Sequence, residues 1–266
     1  MCRFLKVSRA AYYAWIKRMD KPDADEEKMK LIQMAYLGSR RTYGYRRITM
    51  WISRERGQII NPKAVLRLMH KLGIQSIARR RKVYRKMTGI DQYHRYSNLL
   101  NRDFSASRPN RKWATDITYI PTQQGWLYLS VIKDLHDGFI VAYQISPQNS
   151  VALVTKMLQQ ACSKEMVTDG LALHSDQGHQ YCSHAYYVLT QQYGIRPSMS
   201  RRGNCWDNAP MENFFSHLKS EAIHHVKLQT FHQAKEVIAE YIRFFNYERI
   251  QLKTRLTPFE LRCQSN

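Results

Sequence analysis

Cysteines and long apolar runs are both scarce in this sequence. The five cysteines are scattered and form no C-x-x-C pair, so the pattern indicates neither a zinc site nor a disulfide framework. No apolar run approaches the roughly 18 residues that a membrane span needs. The first residues are interrupted by Arg3, Lys6 and Arg9, which is not the pattern of a signal peptide. We therefore expect a soluble protein of the cytoplasm with reduced thiols.

Acidic residues are also few. The chain of 266 residues holds 21 Asp and Glu against 42 Lys and Arg, which gives a net charge of +21. Residues 1–110 contain 26 of the basic and 8 of the acidic residues, so their net charge is +18, and that of residues 111–266 is +3. A need for general solubility would not concentrate charge in one part of the chain, whereas a nucleic-acid partner would.

Four short helices are predicted at the amino-terminal end. Ser8 is a candidate cap for the first, and the next two are expected at Asp25–Gly38 and Tyr45–Arg56. Asn61 caps the fourth and Pro62 opens it. The last two helices are joined by a turn that contains glycine, and they form a helix-turn-helix pattern. Such a pattern either binds DNA or serves only as a helical hairpin.

Arginines interleaved with tyrosines lie on both sides of this pattern, in the segments SRRTYGYRR and ARRRKVYRK. These residue types suit phosphate contacts combined with base stacking. We therefore predict DNA contacts here, with a solvated basic linker as the alternative for the second segment. The predicted contact residues are Tyr43, Arg46, Arg47, Arg79, Arg80 and Arg81.

Beyond a polar and basic stretch, the pattern changes at Trp113 to short segments rich in β-branched and aromatic residues. The predicted order from there is three strands, a helix, a strand, a helix, a strand and a helix. This order indicates an α/β (α+β) fold, with a mixed sheet flanked by helices. The predicted strands are 113–121, 126–135, 139–146, 171–174 and 195–199, and the predicted helices include 150–164, 184–193 and an amphipathic one at 230–249.

The stretch CWDNAPMENFFSHLK predicts a helix with one buried and one polar face. Asp207 or Asn208 can cap this helix, and Pro210 fits its first turn. Glu212 and Lys219 share the polar face. A carboxylate in a first helical turn is commonly a partner of the helix dipole, so Glu212 alone does not establish a site.

Two further acids stand at strand-like segments upstream. Asp116 lies in WATDITYI, and Asp176 follows the apolar run of LALHSDQGHQY at the carboxyl end of a predicted strand. Asp176 follows Asp116 by 60 residues, and Glu212 follows Asp176 by 36. Three such acids can converge on a pair of divalent cations, which clamp the attacking and leaving oxygens of a phosphoryl displacement. Magnesium prefers carboxylate oxygens of this kind.

The order and spacing of WATDITYI, HSDQG and DNAPMENFF, with Lys219 seven residues after Glu212, resemble the catalytic core of the retroviral-integrase (DDE) superfamily. More narrowly, the chain resembles the second-reading-frame (OrfB) part of transposases from IS3-like insertion sequences. YGYRRI and NYERIQ extend this resemblance over nearly the whole chain. The resemblance implies an RNase H-like mixed-sheet catalytic core preceded by an all-α helix-turn-helix region.

The resemblance also implies a domain organisation in which DNA binding and catalysis lie in different parts of the chain. A DNA-binding region is expected at 1–72, a basic linker at 73–112, the DDE core at 113–225, and an amphipathic helix with the tail at 226–266. Asp116, Asp176 and Glu212 are then expected to be the catalytic residues and to bind two Mg²⁺ ions, which Mn²⁺ can replace. One ion would help deprotonate the nucleophile, and the other would stabilise the leaving 3′ oxygen.

The implied partners are duplex DNA, both as the terminal repeats of an element and as its target, and further copies of the chain assembled on DNA. An upstream OrfA segment with another helix-turn-helix and a leucine zipper is also implied, as a fusion or a partner. The implied setting is the bacterial cytoplasm, at the nucleoid. Two rival functions remain, an RNase H-like nuclease that never joins strands and a non-catalytic DNA-binding repressor.

Several other residues have two possible roles, one functional and one structural. Lys219 is expected to contact a phosphate, with a surface lysine as the alternative. Three residues of the loop before the Glu212 helix either grip DNA or belong to a solvated basic loop; they are Arg201, Arg202 and Asn204. Four residues are expected to be structural rather than catalytic, namely Asp134, Asp137, His174 and His179. Gln251 stands where relatives often carry a histidine.

Overall fold

The computed structural model describes residues 7–19, 25–78, 94–165, 167 and 170–264. Contacts divide the chain into two units, residues 1–76 and 77–266. Arg79, Arg80 and Arg81, which are predicted DNA contacts, lie outside the described residues. Within the described part of the chain, no helix is long and apolar enough to cross a membrane.

The first unit contains four helices close to their predicted positions, namely α1 (Arg9–Met19), α2 (Glu26–Gly38), α3 (Tyr45–Arg56) and α4 (Pro62–Lys71). The Ser8 hydroxyl accepts a hydrogen bond from the backbone N–H of Ala11, and the Asn61 side chain accepts one from Lys63. Gly57 ends α3 with a φ of 65°, a left-handed conformation that favours glycine. The helix pair α3 and α4 therefore forms with the predicted turn chemistry.

The second unit is organised around one five-stranded mixed sheet. Its strands are β1 (Lys112–Thr122), β2 (Gly125–Asp134), β3 (Ile140–Ser146), β4 (Ala172–Ser175) and β5 (Arg196–Met199). They lie in the order β3-β2-β1-β4-β5. The pairs β3–β2 and β2–β1 are antiparallel, and β1–β4 and β4–β5 are parallel. This is the predicted order of elements, with the meander first and the parallel strands added on the other side of β1.

Helices cover this sheet and bury its side chains. They are α5 (Val151–Lys164), α6 (His184–Gln192), α7 (Ala209–Glu221), α8 (Phe231–Tyr247) and α9 (Pro258–Cys263), with 3₁₀ turns at Cys205–Asn208 and Ile223–His225. The largest buried side chains of the core include Trp113, Tyr181 and Tyr186. Ser150 precedes α5 as predicted, but its side chain makes no capping hydrogen bond with any described residue.

The long helix α8 is fixed to the sheet and to α7. The side-chain amide of Asn246 accepts from the N–H of Ile140 at 2.9 Å and donates to its carbonyl at 3.0 Å, so it occupies the hydrogen bonds of the edge strand β3. Arg249, just after α8, donates to both carboxylate oxygens of Glu221 at 2.8 and 2.7 Å. Tyr241 donates to the same carboxylate at 2.9 Å. These buried bonds hold the end of α7 in place.

The described stretch just before β1 lies against the core. The N–H of His94 donates to the carbonyl of Cys182, and the N–H of Leu99 donates to the Ser198 hydroxyl. Leu100 is buried. Residues 94–111 therefore contact the second unit through bends and turns rather than as a helix or strand.

The carboxyl-terminal helix α9, which no periodic pattern predicts, attaches to the turn between β2 and β3. Arg262 donates to Asp137 at 2.8 Å and forms ion pairs with Asp134 at 3.4 Å and Glu165 at 2.8 Å. Asp134 and Asp137 are buried, and their carboxylates also accept backbone N–H bonds within the turn. The prediction that these two aspartates are structural is therefore confirmed. Gln251 donates to the Asp137 carbonyl and supports the same turn.

Candidate active site

The parallel register of β1 and β4 brings the two predicted aspartates together. Ala114 pairs with His174, an offset of 60 positions that is shared by every paired position of these strands. Asp116 and Asp176 have the same offset. Extending the register two positions past the last pair places them side by side, with Asp176 immediately after the end of β4. Equivalent positions of neighbouring parallel strands face the same side of a sheet, so both carboxylates belong to one site.

Backbone groups orient both carboxylates. Oδ1 of Asp116 accepts the N–H of Ile117 at 2.7 Å, and Oδ1 of Asp176 accepts the N–H of Gly178 at 2.9 Å. A Cβ on Gly178 would lie 3.0 Å from Oδ1 of Asp176 and 3.1 Å from Oε1 of Gln180. The glycine of HSDQG is therefore needed for space, because a larger residue would push the Asp176 carboxylate out of its position.

Glu212 lies in the first turn of α7, and a buried amide ties this helix to β1. Nδ2 of Asn208 donates to the carbonyl of Thr115 at 3.1 Å, next to Asp116 in the sequence. Met211 and Phe214 pack α7 into the core, whereas Glu212 stays exposed. The helix start therefore stands over the strand that carries the first aspartate.

The three carboxylates influence one another. The pKa of Asp116 is raised well above its usual range, first by burial and then by the charge of Asp176, with Glu212 adding to the same effect. Lys219 acts in the opposite direction on that pKa. Asp176 as a residue is exposed, but protein atoms crowd its carboxyl group, and this desolvation raises its pKa. Charges that oppose each other's ionisation in this way lie close together.

Lys219 lies two turns after Glu212 on α7 and faces the same site. Its Nζ is 4.8 Å from the ring centroid of Tyr119, which follows Asp116 by three residues on β1. Burial lowers the pKa of Lys219, and the charges of Tyr119 and Asp116 oppose that shift. The half-buried ammonium group is thus placed next to the carboxylates rather than out in solvent.

Asp116, Asp176 and Glu212 are the side chains that could hold divalent cations, because carboxylate oxygens are hard donors and their mutual repulsion would be relieved by a cation. Among the described residues, no three His, Cys, Asp or Glu side chains are already gathered at metal-binding distance. The carboxylates are therefore neighbours in an open arrangement. Magnesium suits an open arrangement, since it usually keeps water and takes substrate phosphate oxygens as ligands.

Known families match the chain in three stretches. A family described as Integrase core domain matches residues 106–205, a second of the same description matches 212–265, and an HTH-like domain matches 23–82. InsK of Escherichia coli K12, described as a transposase for insertion sequence element IS150, is 40% identical over 266 residues, which are 100% of this chain and 93% of InsK. The chain belongs to this family of insertion-sequence transposases.

A further relative agrees with this assignment, and a solved structure shares the fold. The transposase InsF for insertion sequence IS3A of Escherichia coli K12 is 35% identical over 230 residues, or 84% of this chain and 78% of InsF. A chain of the simian T-cell lymphotropic virus intasome, solved with the PP2A regulatory subunit B56 gamma, has a TM-score of 0.52 at 15% identity and covers 86% of this chain and 73% of its own. The predicted family and the RNase H-like fold are both confirmed.

Family membership makes the chain a transposase with an integrase core and a helix-turn-helix-like domain. It indicates polynucleotidyl transfer of the metal-dependent kind that is typical of integrase cores. It also indicates a protein that binds DNA and acts as an oligomer.

Two tyrosines of the transposase show where sequence reasoning fell short. Tyr181, which no pattern singled out, is buried beside the aspartates, and its hydroxyl lies 3.2 Å from Oγ1 of Thr115. Burial and the charges of Asp116 and Asp176 raise its pKa well above the usual range. Conversely, Tyr43 is wrong as a predicted DNA contact, because it is buried in the helical unit. Only Tyr181's position five residues after Asp176 could have suggested that it lies near the site.

The other predicted contacts of the helical unit are at its surface. Arg46 is exposed, and its Nε donates to the Tyr45 hydroxyl at 3.1 Å. Arg47 is half-buried, with its guanidinium carbon 5.8 Å from the Tyr43 ring centroid. Both side chains are therefore partly engaged by tyrosines of the same segment.

Asp207 of the transposase does not cap α7, contrary to the prediction. Its buried carboxylate instead accepts both Nε and Nη2 of Arg201 at 2.9 Å, and also Nε of Arg102 at 2.9 Å and Nδ2 of Asn98 at 3.1 Å. These bonds hold the pKa of Asp207 well below its usual range. Asn208, the residue before α7, makes no side-chain cap bond within the described chain. Asp207 is thus an anchor for the loop that leads into the Glu212 helix.

The three predicted DNA contacts of that loop lie in different surroundings. Arg201 is committed to Asp207, so its first role is to hold the loop. Arg202 is exposed. Oδ1 of Asn204 is buried without a hydrogen-bond partner among the described residues, so that atom faces the protein rather than solvent.

The two histidines beside Asp176 differ in their surroundings. His174 is buried, with Nδ1 2.8 Å from the Ser198 hydroxyl and Nε2 3.1 Å from that of Ser200. Burial lowers its pKa to about 4, so it is a neutral, hydrogen-bonded residue of the core, as predicted. His179 is exposed, and its charge lowers the pKa of Asp176.

Proposed function

We propose that this transposase is a DDE polynucleotidyl transferase that cleaves element ends and joins them to target DNA, with Asp116, Asp176 and Glu212 as its metal-binding carboxylates. The observation that carries the proposal is the parallel register of β1 and β4, which sets Asp116 beside Asp176. The Asn208 amide ties the start of the Glu212 helix to the same strand. When bound, two Mg²⁺ ions would supply Lewis-acid stabilisation of the attacking and leaving oxygens. Mn²⁺, which takes similar oxygen ligands, is expected to replace Mg²⁺.

The chain's own residues would prepare this site. The N–H groups of Ile117 and Gly178 keep the two aspartates pointing to one side. The Asn208 amide fixes the start of α7 against β1 and thereby sets the position of Glu212. Lys219 would contact a phosphate next to the reacting bond, as a charged hydrogen-bond donor. No protein nucleophile is required, since water or a DNA 3′ hydroxyl attacks directly in such reactions.

Charge-neutral substitutions test the carboxylates. We expect Glu212→Gln, Asp116→Asn and Asp176→Asn each to retain folding and DNA binding but to lose Mg²⁺-dependent cleavage and joining. The loss should exceed the about 10- to 100-fold that removal of an outer-shell partner costs a metal site. A gel assay on labelled element ends with target DNA measures nicked and joined products separately. Near-normal joining by any one variant would remove that residue from the proposal.

The same gel separates the rival functions. An RNase H-like nuclease would give the nicked product without the joined one, and a repressor would give neither. Arg243→Leu, at an exposed position of α8, serves as a matched control for loss of a charge without a role in the site. Thermal unfolding of each variant shows that a lost product does not reflect a lost fold.

We further propose that residues 1–72 and the basic stretch 73–112 hold the DNA, while 113–225 perform the chemistry and 226–266 complete the core. DNA ends, target DNA and further copies of the chain are the proposed partners, with an OrfA segment as an additional one. The proposed contacts are Arg46, Arg47, Arg79, Arg80, Arg81, Arg201, Arg202, Asn204 and Lys219. The supporting observation is the net charge of +18 in residues 1–110.

Salt dependence of duplex binding tests this division. Replacing Arg79, Arg80 and Arg81 together with glutamine should reduce the slope of log K against log salt by up to about three units, because each neutralised phosphate contributes about −0.9. Fluorescence anisotropy over a salt series measures the slope. As a control, replacing three exposed basic residues of the stretch 226–266 with glutamine, namely Lys235, Arg243 and Lys253, should change the slope less. Equal slopes for the triple variant and the native chain would contradict the assignment of these arginines.

A further inference from the structure

Two aromatic side chains of the β1–β2 hairpin project into solvent. Trp126 is 52% exposed and Tyr119 is 43% exposed, and their rings meet edge to face with centroids 5.2 Å apart. Their strand neighbours Ile120 and Leu127 are fully buried. The alternation of side chains along a strand thus turns the two rings away from the core together. A paired tyrosine and tryptophan at the surface form an apolar patch that is available for binding.

The hairpin that carries these rings is held on several sides. Within its turn, Oγ1 of Thr122 donates to the carbonyl of Gly125 at 2.8 Å. The N–H of Gln123 donates to the carbonyl of Leu228 at 3.0 Å, and Oε1 of Gln124 accepts the N–H of Phe231 at 2.7 Å. The start of α8 therefore fixes the hairpin tip. Rings held in this way lose little freedom when a ligand binds to them.

Lys219 connects the aromatic pair to the carboxylates. Its Nζ lies 4.8 Å from the centroid of the Tyr119 ring, and its charge lowers the pKa of Asp116. Tyr119 is three residues beyond Asp116 on β1, a distance of about 10 Å along a strand. Lys219 therefore lies on the Tyr119 ring and also acts on Asp116, so a phosphate that contacts Lys219 would lie near both groups.

We propose that Trp126 and Tyr119 form a stacking platform for a nucleobase that has left the DNA duplex beside the reacting phosphate. This inference rests on the proposed function, since it assumes that DNA is held at the three carboxylates. Bases inside a duplex are stacked on both faces, so away from the last base pair an aromatic side chain stacks only on a base that is unpaired or displaced. The ring faces supply sequence-tolerant stacking, and Lys219 supplies the cation for the adjacent phosphate.

The platform predicts a preference for DNA whose end is splayed. The probes are a blunt-ended duplex and the same duplex with mismatched terminal bases, which carry a fluorescent adenine analogue. Both are bound to the full-length chain in buffer without divalent metal. Trp126→Leu should weaken binding of the splayed duplex by about 5- to 150-fold, the value of one stacked base, and change binding of the blunt duplex by less than about twofold. The analogue should be quenched by the native chain and not by Trp126→Leu.

The matched control is Trp126→Phe, which keeps a ring at the same exposed position and should keep both the preference and the quenching. Tyr119→Leu should reduce the preference as well, because it removes the ring that supports Trp126. Thermal unfolding of all three variants checks the fold. The platform is overturned if Trp126→Leu binds the splayed duplex as the native chain does, or if it weakens both duplexes equally.

Failure of the platform and failure of the proposed function are distinguishable. Binding without metal does not need the carboxylates, so Glu212→Gln should show the native preference for splayed ends. A native chain that joins no strands but keeps this preference would refute the proposed reaction and support the platform. A chain that joins strands with Trp126→Leu equal to native in both binding and quenching would refute the platform alone.

Discussion

Among the described residues of the transposase core, two groups of three carboxylates differ in their partners, since one of them surrounds an arginine and the other does not. Asp134, Asp137 and Glu165 surround Arg262, which pairs with all three at 2.8 to 3.4 Å. The other group is Asp116, Asp176 and Glu212. Burial and the charges of the other two acids raise the pKa of Asp116, and the neighbouring cation is a lysine. The two groups lie in the same unit of the fold, so they differ in their immediate surroundings.

The difference concerns what compensates the negative charge. A guanidinium is always charged and satisfies several oxygens at fixed angles, so each carboxylate of the Arg262 group has a cationic partner within the fold. In the Asp116 group, burial and repulsion disfavour ionisation, and the compensating charge has to come from outside the fold. Acidic residues at strand ends therefore fall into two classes. Those that pair with a distant arginine are structural, and those without such a partner are candidates for binding a cation.

The largest stability effect is expected from Arg262→Leu. Removing one partner of a buried ion pair leaves uncompensated charges, which costs about 3–5 kcal/mol of unfolding free energy. Urea unfolding followed by tryptophan fluorescence is a direct measurement, because Nε1 of Trp113 donates to Asp134 at 3.2 Å. Arg243→Leu on the exposed side of α8 is the matched control and should change the free energy by less than about 0.5 kcal/mol.

A double variant sharpens this test. Adding Asp137→Asn to Arg262→Leu removes one of the charges left behind, so part of the lost stability should return. If Arg262→Leu unfolds at the native urea concentration, the arginine does not define this group and the contrast with the Asp116 group is lost.

A smaller effect on the free energy of unfolding is expected from a change of pH. Burial and the charge of Asp134 raise the pKa of Asp137 to about 6 from 3.8, although Arg262 opposes the shift. Between these values the folded chain keeps a proton that the unfolded chain releases. The contribution of Asp137 to stability is therefore fully present below about pH 4 and is lost as the pH rises to about 6, by on the order of 3 kcal/mol.

Asp137→Asn is the variant for comparison, because it cannot ionise but its amide oxygen can still accept the N–H of Phe139. Because other carboxylates titrate in the same range, the difference in unfolding free energy between native chain and variant is compared at each pH. This difference should change across about pH 4 to 6. A constant difference would show that Asp137 is ionised throughout.

The sequence was informative wherever structure is local or periodic. α3 begins and ends at its predicted residues, and each strand end lies within one residue of its prediction. The spacing of Asp116 and Asp176 predicted that they are neighbours. Their separation of 60 residues equals the offset between the paired strands β1 and β4. α9 escaped prediction since it has only six residues, although Thr257 and Glu260 form a capping box.

Contacts between distant residues could not be predicted in the same way. Arg262 and Asp134 are separated by 128 positions, and nothing in their neighbouring residues marks them as partners. The same limit applies to Asp207. Its position before a helix predicts a capping role, and nothing in the sequence marks Arg102 and Arg201 as its partners. Tyr43 failed for a related reason, because a tyrosine among arginines suits DNA and a helical core equally well.

The smallest stability effect, and the clearest separation of the two groups, is expected from Lys219→Met. Lys219 is half-buried and rests on the Tyr119 ring, and its removal leaves Asp116 in a site where burial already favours the protonated form. Unfolding free energy should therefore change by less than about 1 kcal/mol, well below the effect of Arg262→Leu. Strand joining should nevertheless fall by about 5- to 150-fold, the value of a charged hydrogen bond to phosphate. Lys219→Arg keeps the charge and should retain most of the activity. Joining by Lys219→Met at the native rate would favour a surface lysine, and destabilisation equal to that of Arg262→Leu would mean that both groups are held together by their cations.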